Sequence, residues 1–226
     1  MKQPVVDYRN FRLSRINEPQ YAHIKLLFGW VFYFTLYFLT ENLIPAERCT
    51  PVHCLLDDYI PFREYFVIFY VSWFALIVFS LLVFFLYDIP SFRALSLFIL
   101  VTQIVAMAVY ILWPNRQDLR PTEFAHHNVF TVILGFLYAF DTPTGVCPSL
   151  HVAYSIGIGS VWLKKKDASP VWKAVLVVWL VLICLSVMFV KQHSAVDVLC
   201  ALPLGLLAEL IVVRKRYFSK EKREKP

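Results

Sequence analysis

The chain reads as an all-α polytopic membrane protein, a bundle of six membrane-spanning helices. Two observations carry that reading. Of its 226 residues 59% are hydrophobic, and the mean hydropathy is +0.60, above the range of an ordinary soluble domain. The apolar residues also fall in continuous runs, not in the alternation that a membrane β-barrel shows. About 20 such residues cross a bilayer as a helix.

Taken in order, residues 1–25 are polar and basic and form a cytoplasmic N-terminal segment. No cleavable leader is read there, because the apolar run that follows is long enough to stay as an anchor. Leu26–Ile44 is the first span. Glu41–Glu64 is a loop rich in proline, cysteine and acids, and Tyr65–Tyr87 is an uncharged second span. Asp88–Arg93 is a short turn holding Pro90, and Ala94–Trp113 is the third span. The long loop Pro114–Pro148 contains an apolar run, Val129–Phe140, of only 12 residues. That is too short to span and reads as an interfacial helix.

Ser149–Leu163 is the fourth span, followed by a basic turn, Lys164–Lys173. From Trp172 to Val213 the apolar run is 42 residues, too long for one span. The polar residues Lys191, Gln192, His193 and Asp197 divide it into Ala174–Val190 and Val198–Val213, the latter charged only at Glu209. Residues 26–213 thus form one six-helix transmembrane domain, and 214–226 form a basic cytoplasmic tail.

Six spans put both termini on one side. That side carries 17 of the 22 lysines and arginines, against five on the other. The positive-inside rule places both termini in the cytoplasm, in the plasma membrane if the cell is bacterial. The net charge of +6 follows from this topology, and no nucleic-acid partner is expected. On the outer face lie Pro114–Pro148, the break at His193, and Cys49 and Cys54, where a disulfide is possible.

Three segments meet on that outer face. They are Arg116-Gln-Asp-Leu-Arg120-Pro121, Cys147-Pro148-Ser149-Leu150-His151 and Lys191-Gln-His193-Ser-Ala-Val-Asp197. Each charge at a bilayer centre would cost about 2.5–3.5 kcal/mol, so these groups belong at the membrane surface. Arg116 and Arg120 offer permanent forked donors to phosphate oxygens. Ser149 stands at a helix start, where free N–H groups and the helix dipole favour an anion. His193 and Asp197 are four apart, so one helical turn lets the carboxylate hold one imidazole nitrogen and leave the other to attack. His151 is then available as general acid.

With these residues the chain resembles the type 2 phosphatidic acid phosphatase superfamily of membrane lipid phosphatases and phosphotransferases. The matching motifs are Pro148-Ser149-x-His151, His193-x-x-x-Asp197 and Arg120-Pro121, over roughly Ala94–Val213. The resemblance implies His193 as the nucleophile that forms a phosphohistidine, oriented by Asp197. It implies His151 as proton donor, Ser149 and Arg120 as phosphate ligands, and no cofactor or metal. Two cations of the family pattern are missing, since Trp113 and Val187 stand where a lysine and an arginine are usual. Arg116 and Lys191 are candidate substitutes. The run Lys191-Gln192-His193 with Asp197 is most similar to the branch containing sphingomyelin synthase and inositol phosphorylceramide synthase.

The expected function is hydrolysis of a lipid phosphate ester, phosphatidic acid-like or polyprenyl diphosphate-like, with a membrane lipid as substrate and the bilayer as partner. Transfer of a headgroup to a second lipid stays open, as does a non-catalytic anion or lipid transporter. Singly the residues have plainer readings: a structural His193–Asp197 pair, a helix-end His151, arginine anchors for headgroups. A metal site of His126, His127 and His193 is a weaker reading, because adjacent histidines point apart.

Overall fold

The computed structural model describes residues 4–214, so the tail beyond Arg214 lies outside the described residues. The long helices are α1 (Leu26–Leu43), α3 (Val67–Tyr87), α4 (Ile89–Leu112), α6 (Leu150–Leu163), α7 (Pro170–Phe189) and α8 (Ala195–Ala208). Two short ones lie in loops, α2 (Leu55–Tyr59) and α5 (Val129–Phe140). The last of these coincides with the expected interfacial segment.

Five of the six long helices are long and apolar enough to cross a membrane, α8 through its π-helical continuation Glu209–Arg214. The sixth, α6, has 14 residues and is about 21 Å long at 1.5 Å per residue. That is short of the roughly 20 residues of a spanning helix, so the expected fourth span is not among the helices long enough to cross. It packs on α4, α7 and α8, and residues as large as Tyr154 and Ile158 are buried along it. Glycine permits the close approach: an ideal Cβ on Gly157 would lie 2.5 Å from the Phe98 ring of α4. One on Gly205 of α8 would lie 2.6 Å from Ile156. Small residues at helix crossings are how membrane bundles gain van der Waals contact without a hydrophobic driving force. Polar cross-links add to it. Trp162 Nε1 donates to Ser80 Oγ at 2.9 Å, and Tyr154 donates to Gln103 Oε1.

Two expected turns are shorter than the sequence suggested, for the same reason. Asp88–Arg93 was expected to be a turn, yet α4 begins at Ile89, and Asp88 caps it by accepting the Ser91 N–H at 3.0 Å. Likewise α7 begins at Pro170 with Ser169 as its cap. Proline breaks a helix interior but suits the first turn, where its missing N–H has no partner to lose. Lys165 Nζ closes this end of the molecule with bonds to Asp88 at 2.7 Å and Asp167 at 3.1 Å. Glu209, the one charge of the sixth span, pairs with Lys164 and Ser160.

At the opposite end the loop between α1 and α3 is strapped to the bundle. Its strand β1 (Thr50–Pro51) pairs in parallel with β2 (Asn115–Arg116). Arg63 N–H donates to Phe189 O at 2.9 Å. The possible Cys49–Cys54 disulfide is not formed, and all five cysteines are free thiols. Cys49 Sγ instead donates to Pro45 O at 3.6 Å, and Cys54 caps α2.

Candidate active site

The turn between α7 and α8 sets the geometry. α7 ends in a Schellman motif: Gln192 N–H reaches Val187 O at 3.0 Å and Lys191 N–H reaches Met188 O at 3.1 Å. His193 N–H shares the Val187 carbonyl at 3.0 Å. Lys191 occupies the left-handed position, with φ 54°, where glycine is usual. α8 then opens with a capping box, Ser194 as cap and Asp197 at its third position.

His193 and Asp197 therefore meet across a cap and not on a continuous helical turn, as the four-residue spacing suggested. His193 Nδ1 lies 3.2 Å from Asp197 Oδ2, which also accepts Ser194 N–H at 2.9 Å. Asp197 is fully buried and His193 is 8% exposed. With Nδ1 engaged, Nε2 is the nitrogen left for chemistry. Ser149 caps α6, and its N–H donates to the Asp197 carbonyl at 3.1 Å. That bond joins the second and third sequence segments.

His151, in the first turn of α6, has its ring centre 5.8 Å from that of His193. It is held by aromatic rings, stacked on Trp73 at 4.0 Å and Tyr70 at 4.4 Å. Trp73 also donates its indole N–H to His151 O at 3.1 Å. Tyr110 donates to Pro148 O at 2.7 Å, fixing the segment just before α6.

The four cations named from the sequence divide. Arg120 reaches the site indirectly. Its Nε and Nη2 donate to Gln192 Oε1 at 3.1 and 2.5 Å, and Nη1 donates to the Tyr138 and Asp141 carbonyls. The guanidinium also lies 4.7 Å from the Tyr138 ring centre. Arg116 turns away: it pairs with Asp118 at 3.0 Å and donates to Ala46 O at 2.7 Å. Lys191 Nζ donates to the Asp57 and Ile60 carbonyls at 3.0 and 2.6 Å. The two positions lacking the expected cations are Trp113, exposed at the end of α4, and Val187, fully buried in α7. His126 and His127 are exposed, and among the described residues no group of three or more His, Cys, Asp or Glu is placed to hold a metal ion.

His151, Gln192, His193 and Asp141 line one end of a cavity of about 500 Å³ whose other walls are mainly aromatic, among them Tyr33, Phe34, Trp73 and Phe74. Those four aromatic residues also line a second cavity of about 520 Å³, which continues between α1 and α3 past Ile77 and Leu81 to Phe85. α1 is the least enclosed of the candidate spans. Ser149 Oγ, His151 Nε2 and Gln192 Nε2 are buried atoms with no hydrogen-bond partner among the described residues. A buried polar atom left unpaired costs about 1–3 kcal/mol.

Sequence reasoning did not single out two contributors. One is Gln192 as a donor, whose carbonyl Arg120 occupies so that its amide N–H groups are the free end. The other is Asp57, 3% exposed, on the strapped loop. Its signal was the Cys54-x-x-Asp57 spacing of a capping box. Asp57 Oδ2 accepts from Ser194 Oγ at 2.6 Å and Cys54 N at 2.9 Å, and its Oδ1 accepts from Ala195 N at 2.8 Å. Burial raises its carboxyl, but the bonds from Ser194, Ala195 and Cys54 outweigh that and hold it below the usual carboxylate range.

No family model matches the chain, and neither does any curated protein. Among solved structures it is similar to the crystal structure of Aquifex aeolicus LpxE, with a TM-score of 0.48 and 19% identity, the match covering 80% of this chain and 94% of that one.

Proposed function

We propose that the protein is an integral membrane lipid phosphatase that cleaves a phosphate ester through a phosphohistidine. The observation that carries this reading is the pair of histidines, one of them bonded to a buried aspartate, in the wall of a largely aromatic cavity that shares Tyr33, Phe34, Trp73 and Phe74 with a second, apolar cavity. A lipid phosphate has that same division, and its chain would lie along the aromatic walls toward Ile77 and Leu81 with its phosphate between the histidines. Favourable burial of about 0.8 kcal/mol per methylene accompanies such a fit.

His193 Nε2 attacks phosphorus while the bond to the lipid oxygen breaks. His151 gives that oxygen its proton, and the lipid alcohol leaves. Neutral His151 then takes a proton from water, whose oxygen attacks the phosphohistidine and releases inorganic phosphate. Asp197 holds the His193 tautomer and stabilises positive charge on the ring. The Gln192 amide and the Ser149 hydroxyl donate to the phosphoryl oxygens, with Arg120 behind Gln192 contributing charge. Arg116 and Lys191 support the loop and leave phosphate binding to these groups. The family motifs support the same assignment. The reaction needs no metal or cofactor, and the site lies on the extracytoplasmic face with both termini in the cytoplasm.

Transfer to a second lipid is the other reading, favoured by the aromatic walls of the cavity that His193 lines, which suit a second lipid as well as water. Both pass through the same phosphohistidine. Purified protein is incubated with lipid monophosphates, polyprenyl diphosphates and phospholipids, with EDTA present throughout. Free phosphate identifies hydrolysis, and a new phospholipid identifies transfer. Neither product from any substrate would leave the transporter reading.

A further inference from the structure

Ser194 stands between His193 and Asp197 and is gripped from two sides. Its N–H goes to Asp197 Oδ2 at 2.9 Å and its hydroxyl proton goes to Asp57 Oδ2 at 2.6 Å. The same hydroxyl oxygen accepts Val196 N–H at 3.1 Å, so its one proton is committed to Asp57. The other Asp57 oxygen takes Ala195 N–H, the first free donor of α8. A helix start carries about half a positive charge, and Asp57 sits against it as a fully hydrogen-bonded anion. Asp57 is itself fixed, because Cys54 N–H donates to its carboxylate and Lys191 Nζ to its carbonyl. The segment from Lys191 to Asp197 is thereby closed onto a residue more than 130 positions away in the chain.

We propose that Asp57 is a positioning residue for the His193–Asp197 pair: by clamping Ser194 and Ala195 it holds the start of α8 so that Asp197 stays aimed at His193 Nδ1. This rests on the phosphotransfer reading for its catalytic consequence. It touches no substrate and lies on the loop between the first two spans, outside the three motif segments. Its effect passes through Asp197.

The test compares Asp57→Asn, Ser194→Ala and Asp197→Asn, singly and as the pair Asp57→Asn/Asp197→Asn, in the full-length protein. Asp57→Asn lowers kcat about tenfold to a hundredfold, the loss that a small misplacement of a reacting group brings, with KM changed less than about threefold. Ser194→Ala gives a smaller loss of the same kind and serves as the second variant should Asp57→Asn fold poorly. On the Asp197→Asn background, Asp57→Asn costs nothing further, because the two substitutions break one device.

A second readout needs no turnover. The rate of His193 modification by diethyl pyrocarbonate is followed at one fixed pH, with each modified histidine located by mass spectrometry. His193 is held through Nδ1 by Asp197 at 3.2 Å, so loosening that contact frees the ring. The rate rises in Asp57→Asn and Ser194→Ala, as it does in Asp197→Asn.

Losses that multiply in the double variant, with His193 modified at an unchanged rate, overturn the clamp and leave the phosphatase reading standing. A wild-type protein that cleaves no ester, with the rate still raised by Asp57→Asn, removes the phosphatase reading and keeps the clamp.

Discussion

The ammonium of Lys191 donates to the carbonyl oxygen of Ile60 at 2.6 Å while its own backbone sits in the left-handed region, at φ 54°. That conformation costs a residue with a Cβ about 1–2 kcal/mol. Glycine would avoid the cost, but it could not tie the α7–α8 turn to the Asp57 loop. A charged donor contributes about 1.5–3 kcal/mol per bond, and Lys191 makes two, so the side chain wins. Lys191→Ala should lower stability by about 3–6 kcal/mol, and Lys191→Gly by about 1–2 kcal/mol less than that. Thermal unfolding of the two variants in detergent checks the order. A glycine variant more stable than wild type would mean that the tie contributes less than the strain it holds in place.

The carboxyl of Asp57 is held below its usual range in the folded protein. A group with a depressed folded-state pKa adds stability that is fully present above its unfolded value, about 3.9, and lost as pH falls through the folded one. The unfolding midpoint should therefore hold steady for this term between pH 7 and pH 5 and fall below about pH 4. Asp57→Asn should be less stable at neutral pH and show a smaller drop in acid. Parallel curves for variant and wild type would assign the acid sensitivity to other carboxylates.

Much of this arrangement was legible in the sequence. Uncharged runs fixed the spans, and the 12-residue run Val129–Phe140 was recognisable as too short to cross. His193, Asp197, Ser149 and His151 stood in segments that topology alone brings to one face. What could not be read is tertiary. Nothing near Arg116 says that Asp118 and the Ala46 carbonyl would take its guanidinium, whereas Arg120, four residues on, would reach Gln192. Asp57 is invisible for the same reason: its partners lie more than 130 residues away, and its local pattern speaks only of capping a five-residue helix. Pro90 and Pro170 misled in the other direction, since the same residue that ends helices also begins them.

Orientation has a direct check. Glu123 and Lys166 are both exposed, one in the loop before α5 and the other in the basic turn after α6. With the five native cysteines replaced, Glu123→Cys should react with an impermeant thiol reagent in intact cells. Lys166→Cys should react only after the membrane is opened. The opposite pattern would invert the molecule, against the segregation of 17 basic residues to one side.

The two histidines differ in what holds them, and their variants should differ accordingly. His193 is bonded to a buried carboxylate at 3.2 Å, the support an attacking imidazole needs. His151 is stacked between Trp73 and Tyr70, with a free Nε2, a setting that fixes a ring in place without an acid to raise its basicity. His193→Ala should abolish turnover and leave no acid-stable or acid-labile phosphoenzyme to trap. His151→Ala should cut release of an alkyl alcohol by about a hundredfold to ten-thousandfold, the usual contribution of a general acid. With an aryl phosphate the same variant should lose far less, because that leaving group departs without a proton, and labelled phosphohistidine should accumulate as water attack loses its base. Rapid quench of wild type and both variants with radiolabelled alkyl and aryl substrates reads all of these at once. Labelled protein persisting in His193→Ala would move the nucleophile elsewhere. Equal losses for alkyl and aryl substrates in His151→Ala would give His151 a binding role in place of proton transfer.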